Sequence, residues 1–132
     1  MTRNRSLAAL LACALAALPA LSCYSDRSTI VDLDGEGCEV PGSAIGPDRA
    51  IVFIRDFAFF PDTLRIAAGT RVTWVNCEDA GIEPHTSTAD AGTWDSGLIA
   101  PGEAYSRTFT AAGSNGYFCE PHPFMRGAIL VQ

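Results

Sequence analysis

The sequence predicts an all-β domain, a sandwich or barrel of short strands. From about residue 49 onward, β-branched and aromatic runs alternate with Gly and Pro turn signals. No stretch of that body sustains an apolar period of 3.6 residues, so no amphipathic helix is expected. The body, residues 49–132, is long enough to bury one core but not a large one.

The elements follow in order. AIVFIRDF, residues 50–57, is β-branched and aromatic and reads as the first strand. PDTLRIAAG (61–69) and TRVTWVN (70–76) come next, the latter with Val72 and Trp74 on one face and Arg71 and Thr73 on the other. HTSTA (85–89) is a short strand candidate. Pro101-Gly102 has the residues of a type II turn. EAYSRTFTA (103–111) alternates Tyr105, Arg107 and Phe109 against Ser106 and Thr108. YFC (117–119) and GAILVQ (127–132) close the body, with Gly69, Gly92, Gly97 and Gly113 as further turn marks. There is no internal repeat.

Ahead of the body lie two segments of different character. Residues 1–22 pair Arg3 and Arg5 with an uncharged Leu- and Ala-rich run, Leu7 to Leu18. That run is short of the ~20 apolar residues a membrane span needs, so it reads as an export signal. Ala20-Leu21-Ser22 fits cleavage before Cys23, and the same bond is where lipoprotein processing would leave Cys23 as a lipid acceptor. Residues 23–48 are polar, acidic and Gly-rich, and read as a flexible or partly ordered extension, a tether if Cys23 is lipidated. The expected location is the periplasm or outer cell surface, with lipid on Cys23 as the sole membrane attachment.

Charge excludes one class of partner. The chain has nine Arg and no Lys, and seven Arg face 15 acids once residues 1–22 are removed, a net −8. Nucleic-acid binding rests on cationic contacts to phosphate, so it is not expected. Acidity of this kind keeps a chain soluble and monomeric, and favours basic partners.

Outside the cytoplasm disulfides persist. Cys23, Cys38, Cys77 and Cys119 follow the signal, and four cysteines allow three pairings. If Cys23 carries lipid and Cys119 holds metal, Cys38 and Cys77 remain as a pair.

The strongest chemical signal is CEPHPFMRG, residues 119–127, with Cys119, His122 and Met125 at C-x2-H-x2-M spacing. The chain holds two histidines in all, so His85 is the one imidazole left to complete a site. Two His, a thiolate and a weak thioether describe a blue-copper electron-transfer centre. Thiolate and thioether are soft donors that suit Cu(I), and imidazole suits both copper oxidation states. Thioether is a poor zinc ligand, and structural zinc sites favour more thiolates.

Three pieces, the last of them containing this loop, carry a family resemblance: V-x-W-x-N then a His (Val72, Trp74, Asn76, His85), W-D-S-G-x-x-x-P-G-E (Trp94 to Glu103), and Y-F-C-x-x-H-x-x-M-x-G-x-I-x-V (Tyr117 to Val131). Over residues 50–132 the chain resembles the cupredoxins of the plastocyanin, pseudoazurin and amicyanin branch, with the short ligand loop of the amicyanin type. The resemblance implies a cupredoxin-like Greek-key β-sandwich with one copper near one end. It implies His85, Cys119, His122 and Met125 as ligands. Asn76 and Thr86 are expected beside them. Many relatives carry Asn where Thr86 stands; a hydroxyl offers one similar bond, so the departure bears on reduction potential rather than on the ligand set.

The implied role is a one-electron carrier between redox proteins such as a cytochrome c or a dehydrogenase or oxidase. With four protein ligands no open catalytic position is left, so no enzyme is expected. Pro121, Pro123 and Phe124 would form an apolar collar around His122 where a partner docks. The alternatives are a copper store or chaperone, which would need more thiols or thioethers, and an electron-feeding subunit of a copper enzyme.

Overall fold

The computed structural model describes residues 38–132. The expected signal, residues 1–22, and the expected lipid acceptor Cys23 lie outside the described residues. Two four-stranded sheets face each other. The first contains β1 (Arg49–Arg55), β2 (Ala58–Phe60), β4 (Arg71–Asn76) and β6 (Ala104–Thr108) in the order β2-β1-β4-β6. The second contains β3 (Thr63–Ile66), β5 (Thr88–Ala89), β7 (Gly113–Phe118) and β8 (Arg126–Val131) in the order β3-β8-β7-β5. The chain crosses between sheets repeatedly, so β1 pairs with β4 and β3 with β8 in parallel, and the other pairs are antiparallel. One short 3-10 turn, Gly42–Ala44, is the sole helical element among the described residues. The fold is the predicted cupredoxin-like sandwich.

Inward-facing residues of both sheets make one core around Trp74. Its ring meets Tyr117 of the opposite sheet edge-on at 5.4 Å, and Trp94 and Tyr105 at 6.2 and 5.9 Å. Trp74 and Tyr117 are fully enclosed, so this contact binds sheet to sheet. Truncating a buried ring of this size costs about 3–5 kcal/mol.

The strand expectations hold with four differences. β7, expected at 117–119, begins at Gly113, a position expected to mark a turn, and ends at Phe118, before Cys119. The first strand stops at Arg55, because Ala58 folds back to pair with it and Asp56-Phe57 make a two-residue turn with φ of +51° and +54°. Right-handed strand twist favours such a turn and requires positive φ at both positions. Within HTSTA only Thr88–Ala89 is strand; His85 forms an isolated bridge with Ile99. Finally, β4 is buried on both faces: Thr73 and Val75 are covered as well as Val72 and Trp74. The cover is the 38–48 stretch, whose 3-10 turn packs on β1 and β4 and buries Val40 and Ala44. A disulfide joins Cys38 to Cys77 and ties that stretch to the end of β4. Ala100 to Glu103 forms the turn read from Pro101-Gly102, with Gly102 at φ +82° and Glu103 N–H donating to Ala100 O.

Candidate metal centre

Two adjoining loops bring the candidate metal-binding side chains His85, Cys119 and His122 together. The first, residues 77–84, leaves β4 and delivers His85. There the His85 N–H donates to Ile99 O and its carbonyl accepts the Ile99 N–H, fixing the backbone on both sides. Asn76, fully buried, braces the same corner: its side-chain amide donates to Ile99 O at 2.8 Å and its Oδ1 accepts the Glu78 N–H at 3.0 Å.

The second loop leaves β7 at Cys119. It closes on itself: His122 N–H donates to Cys119 O, Met125 N–H to His122 O, and Cys119 N–H to Met125 O. Pro121 and Pro123 carry no N–H, so they leave no donor to be satisfied in this tight space, and their fixed φ lowers the freedom of the open chain. Thr86 joins the two loops. Its N–H donates to Cys119 Sγ at 3.3 Å, and its hydroxyl accepts the Glu120 N–H at 2.9 Å.

The outcome is one thiol flanked by two imidazoles. Cys119 Sγ lies 3.6 Å from His85 Nδ1 and 3.7 Å from His122 Nδ1. All three potential ligand atoms fall within 4.8 Å of one another. Metal–nitrogen and metal–thiolate bonds of about 2.0 and 2.3 Å, opened by about 110–120°, would separate N from S by about 3.5–3.7 Å. The donors are therefore spaced to share an ion, and a thiolate between two imidazoles is a soft, copper-suited set. Cys119 is free of disulfide and fully enclosed. Met125 is buried in the core at the end of the same loop.

Both histidines present their outer nitrogens to acids. His85 Nε2 is 3.3 Å from Glu78 Oε1, and His122 Nε2 is 3.3 Å from Glu83 Oε2. Burial holds the His85 imidazole below its ordinary pKa, against the opposing pull of Glu78. A neutral imidazole is the form that ligates a metal.

A profile of copper-binding proteins of the plastocyanin/azurin family matches residues 50–132. The chain belongs to this cupredoxin family. Copper is accordingly its cofactor, and the donor set described above fits it. The chain is 36% identical over 129 residues to amicyanin of Paracoccus denitrificans, covering 93% of this chain and 92% of that one. It is 43% identical over 86 residues to plastocyanin of Scenedesmus fuscus, covering 56% of this chain and 86% of that one. Among solved structures, a reduced amicyanin variant superposes with a TM-score of 0.60 at 32% identity, over 68% of this chain and 88% of that one. A purple cupredoxin from Nitrosopumilus maritimus gives 0.57 at 25% identity, over 63% and 99%.

In this cupredoxin the anticipated collar lies at the surface: Pro121, Pro123 and Phe124 are exposed around a partly exposed His122. Phe124 packs its ring 5.9 Å from the His122 ring. Three neighbours of the site were not legible beforehand. Glu78 and Glu83 carried no signal in sequence that either would turn towards an imidazole. Phe57 read as the end of a strand; its ring instead stands edge-on to His85 at 5.3 Å and to His122 at 5.0 Å. Its one sequence signal was a large apolar residue at a hairpin tip. Trp94 and Ser96 brace β5 and its approach, donating from Trp94 Nε1 to Ser87 Oγ and accepting the Ser87 N–H at Ser96 Oγ. Arg126 pairs with Asp90 at 3.1 Å.

Proposed function

We propose that this cupredoxin is an exported one-electron carrier with a type 1 copper centre held by His85, Cys119, His122 and Met125. The observation that carries the reading is the placement of Cys119 Sγ between two imidazole Nδ1 atoms, at 3.6 and 3.7 Å. Copper, when bound, supplies a Cu(II)/Cu(I) couple that takes up or releases a single electron.

The chain's own residues do the rest. The Cys119 thiolate and the two imidazoles supply the strong donors, and the Met125 thioether is the weak fourth. Hydrogen bonds at both loops fix these donors before any electron arrives, so little needs to move between oxidation states. Burial of Cys119 and His85 excludes water from the thiolate side. The route outward runs through His122, whose ring is partly exposed inside the collar of Pro121, Pro123 and Phe124. A redox partner, such as a cytochrome c or a dehydrogenase or oxidase, would dock there. Export to the periplasm or outer surface rests on residues 1–22 and is consistent with the Cys38–Cys77 disulfide.

The test is a visible and EPR spectrum of the copper-loaded, oxidised protein. An intense thiolate-to-copper band with narrow copper hyperfine splitting is expected, absent in Cys119→Ser. Copper bound without colour would overturn the assignment. Stopped-flow electron exchange with a cytochrome c, run beside copper transfer to a chelator, separates a carrier from a store.

A further inference from the structure

The loop of residues 77–84 does more than connect β4 to His85. It places a carboxylate behind each imidazole, on the side away from Cys119. The two carboxylates differ in their surroundings. Glu83 has a side chain 76% exposed, where water and salt weaken its field. Glu78 has a side chain 8% exposed, against a fully enclosed His85.

Three restraints hold Glu78 in place. Its Oε1 accepts the Phe57 N–H at 2.8 Å. Its own N–H donates to the buried Asn76 side chain at 3.0 Å. Its neighbour Cys77 is pinned by the disulfide to Cys38 and by its N–H to Ile54 O. Phe57 reaches Glu78 from a positive φ of +54°, unfavourable for a bulky residue. Strain of that kind persists where surroundings impose it, and it gathers at functional sites. Here the turn serves two contacts at once, the N–H on Glu78 and the ring edge on both histidines.

We propose that Glu78 is a positioning residue for the copper centre. It keeps the proton of His85 on Nε2, so that the Nδ1 lone pair faces Cys119 and the ion, and its fixed negative charge favours Cu(II) over Cu(I). The influence of Glu78 is electrostatic. A neutral imidazole carries one N–H, and its position follows the groups around the two nitrogens. His85 Nε2 is enclosed and makes no aligned hydrogen bond, while an anionic oxygen lies 3.3 Å away. The Glu78 carboxylate is therefore the group whose field decides the tautomer. The same field, little screened by water, stabilises the more positive metal state. Carboxylates behind ligating histidines orient and tune them in this way.

This inference rests on the copper reading above, so its test includes a measurement without copper. In the apoprotein at mildly alkaline pH, long-range 1H–15N NMR reports the tautomer of His85. The wild type should show Nε2–H, and Glu78→Ala a mixture of both forms. In the copper-loaded protein, Glu78→Gln keeps size and the acceptor for Phe57 while removing charge. At a fixed electrode potential its Cu(II):Cu(I) ratio should fall about tenfold, a rise of about 59 mV for a one-electron couple. Glu83→Gln, at the exposed position, should move the ratio less than Glu78→Gln does. An unchanged Nε2–H tautomer in Glu78→Ala would overturn the proposal. So would a ratio within twofold of wild type in Glu78→Gln, or an equal shift in Glu83→Gln. Should Glu78→Ala fail to fold, the near-isosteric Glu78→Gln decides through its potential. A wild-type protein without the blue band would instead overturn the copper-centre reading, and the apoprotein tautomer would still judge Glu78.

Discussion

Thr86 holds Cys119 from two sides: its N–H donates to the sulfur at 3.3 Å, and its hydroxyl accepts the N–H of the following residue, Glu120, at 2.9 Å. The residue thus couples the loop that delivers His85 to the loop that carries the other proposed donors. Replacing Thr86 by Val keeps the shape and the backbone contact to sulfur but strands the Glu120 N–H. The expected loss is about 1–3 kcal/mol, from a part-buried donor left unpaired together with the lost 2.9 Å hydroxyl bond between Thr86 and Thr88. Urea unfolding of the apoprotein measures it, and Thr86→Ser should recover most of the loss.

The Cys38–Cys77 disulfide closes a sequence separation of 39 residues and covers the outer face of β4 with Val40 and Ala44. Changing both cysteines to Ser should lower unfolding free energy by about 2–4 kcal/mol. Equilibrium denaturation reads the change. Proteolysis near residues 38–48 should quicken in the variant, because the remaining hold on that stretch is a small apolar contact and hydrogen bonds from Arg49 to Ser43 O and from Arg71 N–H to Asp48 O.

Gly127 lies opposite Tyr117 in the β7–β8 pair. A Cβ at Gly127 would stand 2.4 Å from both Cζ and Oη of the Tyr117 ring. The glycine of the ligand-loop motif is therefore a packing requirement of the neighbouring core. Gly127→Ala should destabilise by about 1–3 kcal/mol, as overpacking does. Adding Tyr117→Phe should recover only part of this, since the Cζ contact remains.

Tyr117 predicts an alkaline limb to the stability curve. Burial pushes its phenol well above its ordinary range, and its hydroxyl has no hydrogen-bond partner. The unfolded chain, with Tyr near 10, releases this proton before the folded chain does. The contribution is thus fully present below about pH 10 and lost as pH rises beyond it, at up to about 1.4 kcal/mol per unit. Tyr117→Phe should remove that part of the loss while changing stability little at neutral pH. Unfolding midpoints from pH 8 to 11 test both statements.

The sequence by itself determined the all-β class and most strand positions, because alternating patterns such as Val72/Trp74 and the Pro101-Gly102 turn report local periodicity and backbone preference. It also singled out the donors proposed for the centre, because soft ligands at tight spacing are scarce: two histidines in the chain and one Cys-x2-His-x2-Met run. What only the tertiary structure decided is what surrounds them. Phe57 lies 28 residues before His85 in the chain and Glu78 lies seven before it, yet a two-residue turn and a pinned loop bring both against one imidazole. The covered outer face of β4 likewise depends on residues 38–48 folding back across it. Contacts of this kind are set by how separate strands and loops pack in space, and no spacing along the chain encodes the direction in which a loop carboxylate or a hairpin-tip ring will point.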